Sequence, residues 1–228
     1  MLTKGILLFL FFLFFAENSF PENATTSCLV DEGDTWESLF PDPRERLLIQ
    51  KLNRRNTTLK PNISLMIPEN TTGKTLMNFS PFPRQITAPG EKLLIWDPKK
   101  LAWAAYDKNG NLVRWGPGIG GKDWCPDVER GCRTPVGTFR IIFKSGYNFR
   151  SSKYPLDTCR GNLPGRPGCA RLYWFMCFNK DGEGFHGSDD MVGKNDSHGC
   201  VRVFPDDAEW LNRAFTEVGT KIVILPYV

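Results

Sequence analysis

Histidine is scarce in this sequence, with two residues, His186 and His198, among 228. Charge of one sign is lacking as well. Lys plus Arg number 29 against 25 Asp plus Glu, a formal net charge of +4. With no dense Lys/Arg run, no nucleic-acid partner is expected. Long apolar runs are missing except at the start, where Lys4 precedes the unbroken stretch Gly5–Ala16. That is short of the roughly 20 residues of a spanning helix, so residues 1–19 read as a secretory signal, with a retained anchor as the alternative. No membrane contact is expected beyond this segment, and no internal repeat is visible. What is present is ordinary for a folded protein, 41% hydrophobic and 24% charged residues, which excludes long disorder. The seven cysteines fit an oxidising compartment and, being odd in number, leave one thiol over. The chain is therefore expected to be exported, to the periplasm or cell envelope or outside the cell.

Residues 28–68 read as a small unit. Cys28-Leu29-Val30 suggests a strand and Asp31-Glu32-Gly33 a turn. Asp34 and Glu37 form a candidate capping box for a short helix with Trp36, Leu39 and Phe40. Pro41-Asp42-Pro43 breaks it, and Arg44–Leu52 gives a second helix with Leu47, Leu48 and Leu52 on one face. Ser64–Pro68 closes the unit as a strand. Gly33-Asp34-Thr35, the Leu47–Asn53 helix end and Leu65-Met66-Ile67-Pro68 together resemble a LysM module. That resemblance implies binding of N-acetylglucosamine glycans such as peptidoglycan; the alternative is a generic βααβ packing unit. Asn62 stands where the family usually carries Gly.

Residues 69–91, with Asn70-Thr-Thr-Gly, Ser80-Pro-Phe-Pro83 and Ala88-Pro-Gly90, read as a linker. From residue 92 to 228 strands dominate: Leu93–Trp96, Leu101–Tyr106, the Asn109-Gly110 hairpin signal, Leu112–Trp115, Gly137–Phe143, Arg171–Phe178 and Lys221–Leu225. One helix is expected, capped by Asp206 with Glu209, burying Ala208, Leu211 and Phe215 and stopping at Gly219. The fold class is mainly β, a β-sandwich with one C-terminal helix behind a small βααβ unit.

The chemistry lies in Phe185–Arg202. Both histidines fall within 14 positions of Cys200. A thiol needs an adjacent base to become a good nucleophile, so a Cys–His pair reads as acyl-transfer chemistry. Gly199 permits close backbone approach, with amide N–H groups available to an oxyanion. Zinc held by His186, His198 and Cys200 with Asp189 or Asp190 is the competing reading, but no Cys-x-x-Cys pair accompanies it. No metal and no organic cofactor is expected. Cys200 in a plain disulfide is the other alternative, and cysteine parity opposes it.

Ser197-His198-Gly199-Cys200-Val201-Arg202, with Phe185-His186-Gly187-Ser188, resembles the active-site signature of the L,D-transpeptidase (YkuD-type) catalytic domain. Thr134–Phe139 and Ala170–Trp174 resemble further strands of that family, and the interval from His186 to Ser197 is short for it. The resemblance implies Cys200 as nucleophile, His186 as its base and Gly187 as the residue whose carbonyl orients the imidazole. His198 is given a supporting place in the oxyanion pocket beside Gly199, and Arg202 and Ser197 are assigned to substrate. It further implies acyl transfer on peptidoglycan tetrapeptide stems, with release of D-Ala and formation of cross-links or protein anchors. The partner is then peptidoglycan, through stem peptides and glycan. Rival readings are a carboxypeptidase that only hydrolyses and a secreted wall-binding or host-contact protein with weak catalysis. Six cysteines remain beside Cys200 and allow 15 connectivities. Cys125–Cys132 and Cys159–Cys169 close short Pro/Gly-bearing loops, which leaves Cys28–Cys177 as an expected bridge between the two units. Oligomeric state is left open.

Overall fold

Pairs of strands with their apolar residues on both faces dominate the computed structural model, which describes residues 25–156, 159 and 168–228. The expected signal segment and the Pro164–Pro167 stretch lie outside the described residues. At the N-terminal end β1 (Thr25–Leu29) and β2 (Ser64–Pro68) pair antiparallel. Between them stand α1 (Trp36–Leu39) and α2 (Pro43–Leu52). Val30, Trp36, Phe40, Ile49, Leu59 and Leu65 form this unit's own core. The α1 cap is Thr35, not Asp34. The Thr35 hydroxyl accepts from Ser38 N at 3.0 Å while the Asp34 carboxylate closes the preceding turn on Asp31 N at 2.8 Å. Asp42 caps α2 and Pro43 takes its first position, where the missing N–H costs nothing. The buried face of α2 is Ile49 and Leu52; Leu47, expected inside, is exposed. Asn62 takes φ +67°, a left-handed conformation natural to Gly and tolerated by Asn.

The remaining strands form one nine-stranded sheet, in the order β6-β11-β3-β4-β5-β10-β9-β8-β7. They are β3 (Leu93–Asp97), β4 (Ala102–Tyr106), β5 (Leu112–Ile119), β6 (Gly137–Arg140), β7 (Phe143–Lys144), β8 (Tyr173–Cys177), β9 (Gly184–Gly187), β10 (Val201–Val203) and β11 (Lys221–Ile224). The two end strands of this order, β6 and β7, are separated in sequence only by Ile141 and Ile142. Ile141 N donates to Thr220 O and Ile142 N to Cys177 O, at 3.0 and 2.7 Å. The sheet therefore curls until its edges meet, making the two layers of a sandwich from one sheet. Edge strands that meet in this way leave few unpaired groups. Trp96, Trp103, Phe178, Phe185, Val203 and Ile222 fill the space inside the curl, with α3 (Pro205–Trp210) and the π-helical turn Leu211–Phe215 covering it. Pro205 opens α3 and no side chain caps it. Asp206, expected as the cap, instead sits in the first turn, where the helix dipole favours a carboxylate. Ala208, Leu211 and Phe215 are buried as expected.

β3 and β4 show no polar alternation because both faces are covered. Leu94 and Trp96 point inward, whereas Leu93, Ile95, Ala104, Tyr106 and Trp115 pack against Leu52, Leu76, Phe79, Phe82 and Ile86. The segment expected as a linker is thus laid down on the sheet. Trp115 Nε1 donates to Leu76 O at 2.8 Å, Tyr106 Oη to Pro83 O at 2.9 Å and Leu112 N to Arg84 O at 2.8 Å.

The small unit is docked as well. Lys51, 5% exposed at its side chain, reaches the fully buried Asp207 at 2.9 Å and Asp206 at 2.6 Å, and Arg114 completes the cluster on Asp207 at 2.5 Å. Asn56 Nδ2 donates to Ser188 O at 2.9 Å and Asn56 Oδ1 accepts from Met191 N at 2.8 Å. Arg55 donates to Val192 O at 2.6 Å. The short loop after β9 is therefore held from outside by the N-terminal unit.

Candidate active site

β9 and β10 run parallel, with Arg202 opposite His186 and Val201 opposite Phe185. Alternation along strands puts His186, Arg202 and the position just before β10, Cys200, on one face. All three line a cavity of about 680 Å³, together with Glu183, Ser197 and His198. Gly187 O accepts a hydrogen bond from His186 Nδ1 at 2.9 Å, and this fixes the tautomer with Nε2 basic. Gly187 also has to be glycine, because a Cβ there would lie 2.9 Å from Pro205 Cα and 3.1 Å from Ala208 Cβ. Removing that space would push α3 off the strand that carries the histidine.

Cys200 is a free thiol, and burial pushes its pKa up to about 11, with the Gly184 backbone pulling it back only in part. Burial likewise pushes His186 down to about 4, against the Gly187 hydrogen bond. The pair therefore rests as neutral thiol and neutral imidazole. Such a pair suits proton transfer during attack, with the imidazole as general base, more than a preformed ion pair.

The turn before β10 is tightly tied. Ser197 Oγ donates to Cys200 O at 2.5 Å and accepts from Gly199 N at 3.1 Å. Ser197 thus orders the turn that presents the thiol. The Gly199 N–H, expected to be open to an oxyanion, is already engaged. Gly199 takes φ +125°, and a Cβ on it would stand 2.9 Å from Glu183 Cγ. Two demands, left-handed backbone and close approach, select glycine here.

His198 borders the same cavity from its loop side. Its Nε2 lies 2.7 Å from Asp127 Oδ2, and its ring stacks on Tyr154 with centroids 4.4 Å apart. This contact holds the Asp127 carboxyl below its usual pKa. Arg202 pairs with Asp190 Oδ2 at 2.9 Å, and Asp189 Oδ2 accepts from Tyr173 Oη at 2.7 Å. The donor set of the zinc reading is dispersed by these contacts. Among the described residues the trio whose ligand atoms converge is Cys125, Asp127 and His198, and the Cys125 sulfur is bound to Cys132.

Cys125–Cys132 and Cys159–Cys169 are bridged as expected. The expected Cys28–Cys177 bridge is absent, and both thiols are free. Cys28 lies in the N-terminal hairpin, whereas Cys177 is buried in β8 and donates to Asn179 O at 3.1 Å. Glu183, Asp127, Tyr154 and Asn56 were not marked by any motif. Their places depend on which loops and strands the fold brings beside Cys200.

A family model for the L,D-transpeptidase catalytic domain, YkuD, matches residues 91–224. Among solved structures, the L,D-transpeptidase of Xylanimonas cellulosilytica is 22% identical, with 79% of this chain and 79% of that chain covered and a TM-score of 0.54. An L,D-transpeptidase from Mycobacterium smegmatis is 23% identical over 60% of this chain and 59% of that one, with a TM-score of 0.46. No curated protein matches. The first structural likeness is one of fold.

Proposed function

The chain belongs to the L,D-transpeptidase catalytic-domain family, and from that premise we propose that it is an exported enzyme of the cell wall that works on peptidoglycan tetrapeptide stems. Cys200 is the nucleophile and His186 its base. The observation that carries this assignment is the Nδ1–Gly187 O hydrogen bond, which leaves Nε2 basic on the cavity that the free Cys200 thiol shares. His186 takes the thiol proton as sulfur attacks the carbonyl of the third stem residue. The C–N bond to D-Ala breaks, the imidazolium returns the proton to the leaving amine, and a thioester remains. An acceptor amine then attacks the thioester, the C–S bond breaks, the thiolate regains a proton and the new amide nitrogen releases one. A stem amine gives a cross-link, a protein amine gives an anchor, and water gives hydrolysis.

Ser197 and Gly199 shape the nucleophile turn, Arg202 borders the donor site, and His198 supports the cavity wall. The two disulfides support export to an oxidising compartment. The βααβ order of residues 28–68 supports its reading as a LysM-like glycan-binding unit, which would raise the local concentration of stems. Purified chain incubated with tetrapeptide-rich sacculi tests the reading through the released muropeptides. Dimers are the expected product. Tripeptides alone mean hydrolysis, and no change would overturn the enzymatic assignment for this chain.

A further inference from the structure

A carboxylate with no cationic partner among the described residues stands beside the candidate nucleophile. Glu183 precedes β9, and its backbone is fully engaged: its N–H donates to Asn179 Oδ1 and its carbonyl accepts from Phe178 N, each at 3.0 Å. Its side chain leans over Gly199, with Oε1 3.1 Å from where a Cβ on that glycine would be. Oε2 is buried and makes no hydrogen bond, and among the described residues no cation pairs with this group. Arg202, on the same cavity, is spent on Asp190. A buried carboxylate oxygen left unpaired is costly, and such groups call for an explanation. A second cost is electrostatic, since the Glu183 charge opposes ionisation of the Cys200 thiol. An anion that hinders the attacking step is hard to explain by that step alone. A cation arriving in the second step through the cavity that Glu183 lines would offset that charge.

We propose that Glu183 receives the ammonium group of the incoming acceptor amine at the Cys200 thioester, and so favours aminolysis over hydrolysis. The proposal rests on the thioester chemistry above. Glu183 supplies charge and takes no proton: the bound ammonium loses one proton to solvent, its nitrogen attacks the thioester carbonyl, and the C–S bond breaks. The nitrogen, cationic once bonded to the carbonyl carbon, sheds its second proton to give the neutral amide as the thiolate regains one. Neutral acceptors, water included, gain nothing from Glu183, so the carboxylate discriminates by charge.

The test uses the full disulfide-bonded chain and a synthetic tetrapeptide donor, with glycinamide as ammonium-bearing acceptor and hydroxylamine as neutral one. Mass spectrometry of the protein reads acylation of Cys200, and chromatography reads the ratio of amide to acid. Glu183→Gln keeps shape and removes charge. It is expected to acylate as fast as the wild type or faster. It should lower the amide-to-acid ratio with glycinamide about tenfold or more, the scale of a lost charge-assisted hydrogen bond, and leave hydroxylamine capture unchanged. Glu183→Asp should recover part of the ratio. An unchanged glycinamide ratio, or equal loss with both acceptors, overturns the proposal while the thioester chemistry stands. Loss of acylation in Glu183→Gln also overturns it, by moving the residue to the first step. A wild-type chain that never acylates overturns the catalytic reading, and this inference with it.

Discussion

His186 and His198 line the same cavity but are held by different parts of the molecule. His186 stands on β9 between β8 and β10, is 4% exposed, and has its ring fixed by the carbonyl of the next residue. His198 stands in a turn, 23% exposed at its side chain, and is held by Asp127 and Tyr154. Asp127 lies inside the loop closed by Cys125–Cys132. Tyr154 is tied to the loop closed by Cys159–Cys169 through Tyr154 O, which accepts from Ala170 N at 2.9 Å. One wall of the cavity is sheet, and its hydrogen-bond ladder sets distances. The other is loop, braced by disulfides and the His198–Asp127 hydrogen bond. Chemistry that tolerates little displacement belongs on the first wall, and contacts that tune access belong on the second.

The largest expected effect follows from that contrast. His186→Ala should slow acylation of Cys200 by a factor on the order of 10² or more, as loss of a general base does. His198→Lys should stay within about tenfold of wild type, because it disturbs only the Asp127 and Tyr154 contacts. Single-turnover acylation followed by mass spectrometry measures both. The reverse order would place the base on the loop wall and break the comparison.

The N-terminal unit and the sheet domain differ in a second way. Each has its own core, yet a buried ionic cluster and the Asn56 clamp join them. Lys51→Met leaves Asp207, which has no exposure, with Arg114 alone. Breaking one side of a buried pair should cost about 3 kcal/mol, read by urea unfolding. One transition, shifted to lower urea, is expected. Two separate transitions would show that the units fold independently and that the cluster does not couple them. Asn56→Ala should release the Ser188–Met191 loop and slow acylation severalfold with smaller loss of stability.

Much of this organisation was legible in the residues. The unbroken apolar runs of β3 and β4, the Asn109-Gly110 hairpin and the two short-loop disulfides read directly, whereas the choice of His186 over His198 beside Cys200 came from the family resemblance. β9 and β10 did not, because strands of four and three residues carrying His186, Gly187 and Arg202 leave too little alternation to detect. Residues 69–91 have the composition of a linker. Only the tertiary fold places Leu76, Phe79 and Phe82 over the outer face of the sheet. The α1 cap moved one residue because Asp34 and Thr35 are both good caps, and Asp34 was taken by its own turn. Glu183 left no trace in the pattern because only the tertiary fold lays its side chain over Gly199.

A smaller effect separates the two histidines by pH. His186 titrates near 4 in the fold against 6.5 ordinarily, so between those values the unfolded chain holds a proton that the native chain refuses. Stability contributed by its burial as a neutral ring is therefore full above pH 6.5 and is lost as pH falls toward 4. By pH 5 about 2 kcal/mol should be gone. His186→Gln should remove that slope from the urea unfolding profile, whereas His198→Gln should keep it. A slope that survives His186→Gln would mean that other groups carry the acid sensitivity. Acylation should likewise show a broad plateau across neutrality in place of a narrow bell, since imidazole and thiol titrate at about 4 and about 11.

The smallest expected effect concerns Cys28. Parity pointed to a bridge with Cys177, which would have stapled the N-terminal unit to the sheet. Both thiols are free in the fold, and the units are joined by Lys51, Arg55 and Asn56 instead. Cys28 makes only a long contact to its neighbour's carbonyl, 3.7 Å, so Cys28→Ser should change stability by no more than about 0.5 kcal/mol. Cys177 is buried, and burial pushes its thiol pKa up, so it should react slowly in the native protein. Alkylation without reductant should therefore label Cys28 early, and denaturation should bring the total to three with Cys177 and Cys200. A denatured chain that takes a single label would restore the bridge. The larger loss of stability in Cys28→Ser that a bridge implies would then be measurable in the same urea experiment.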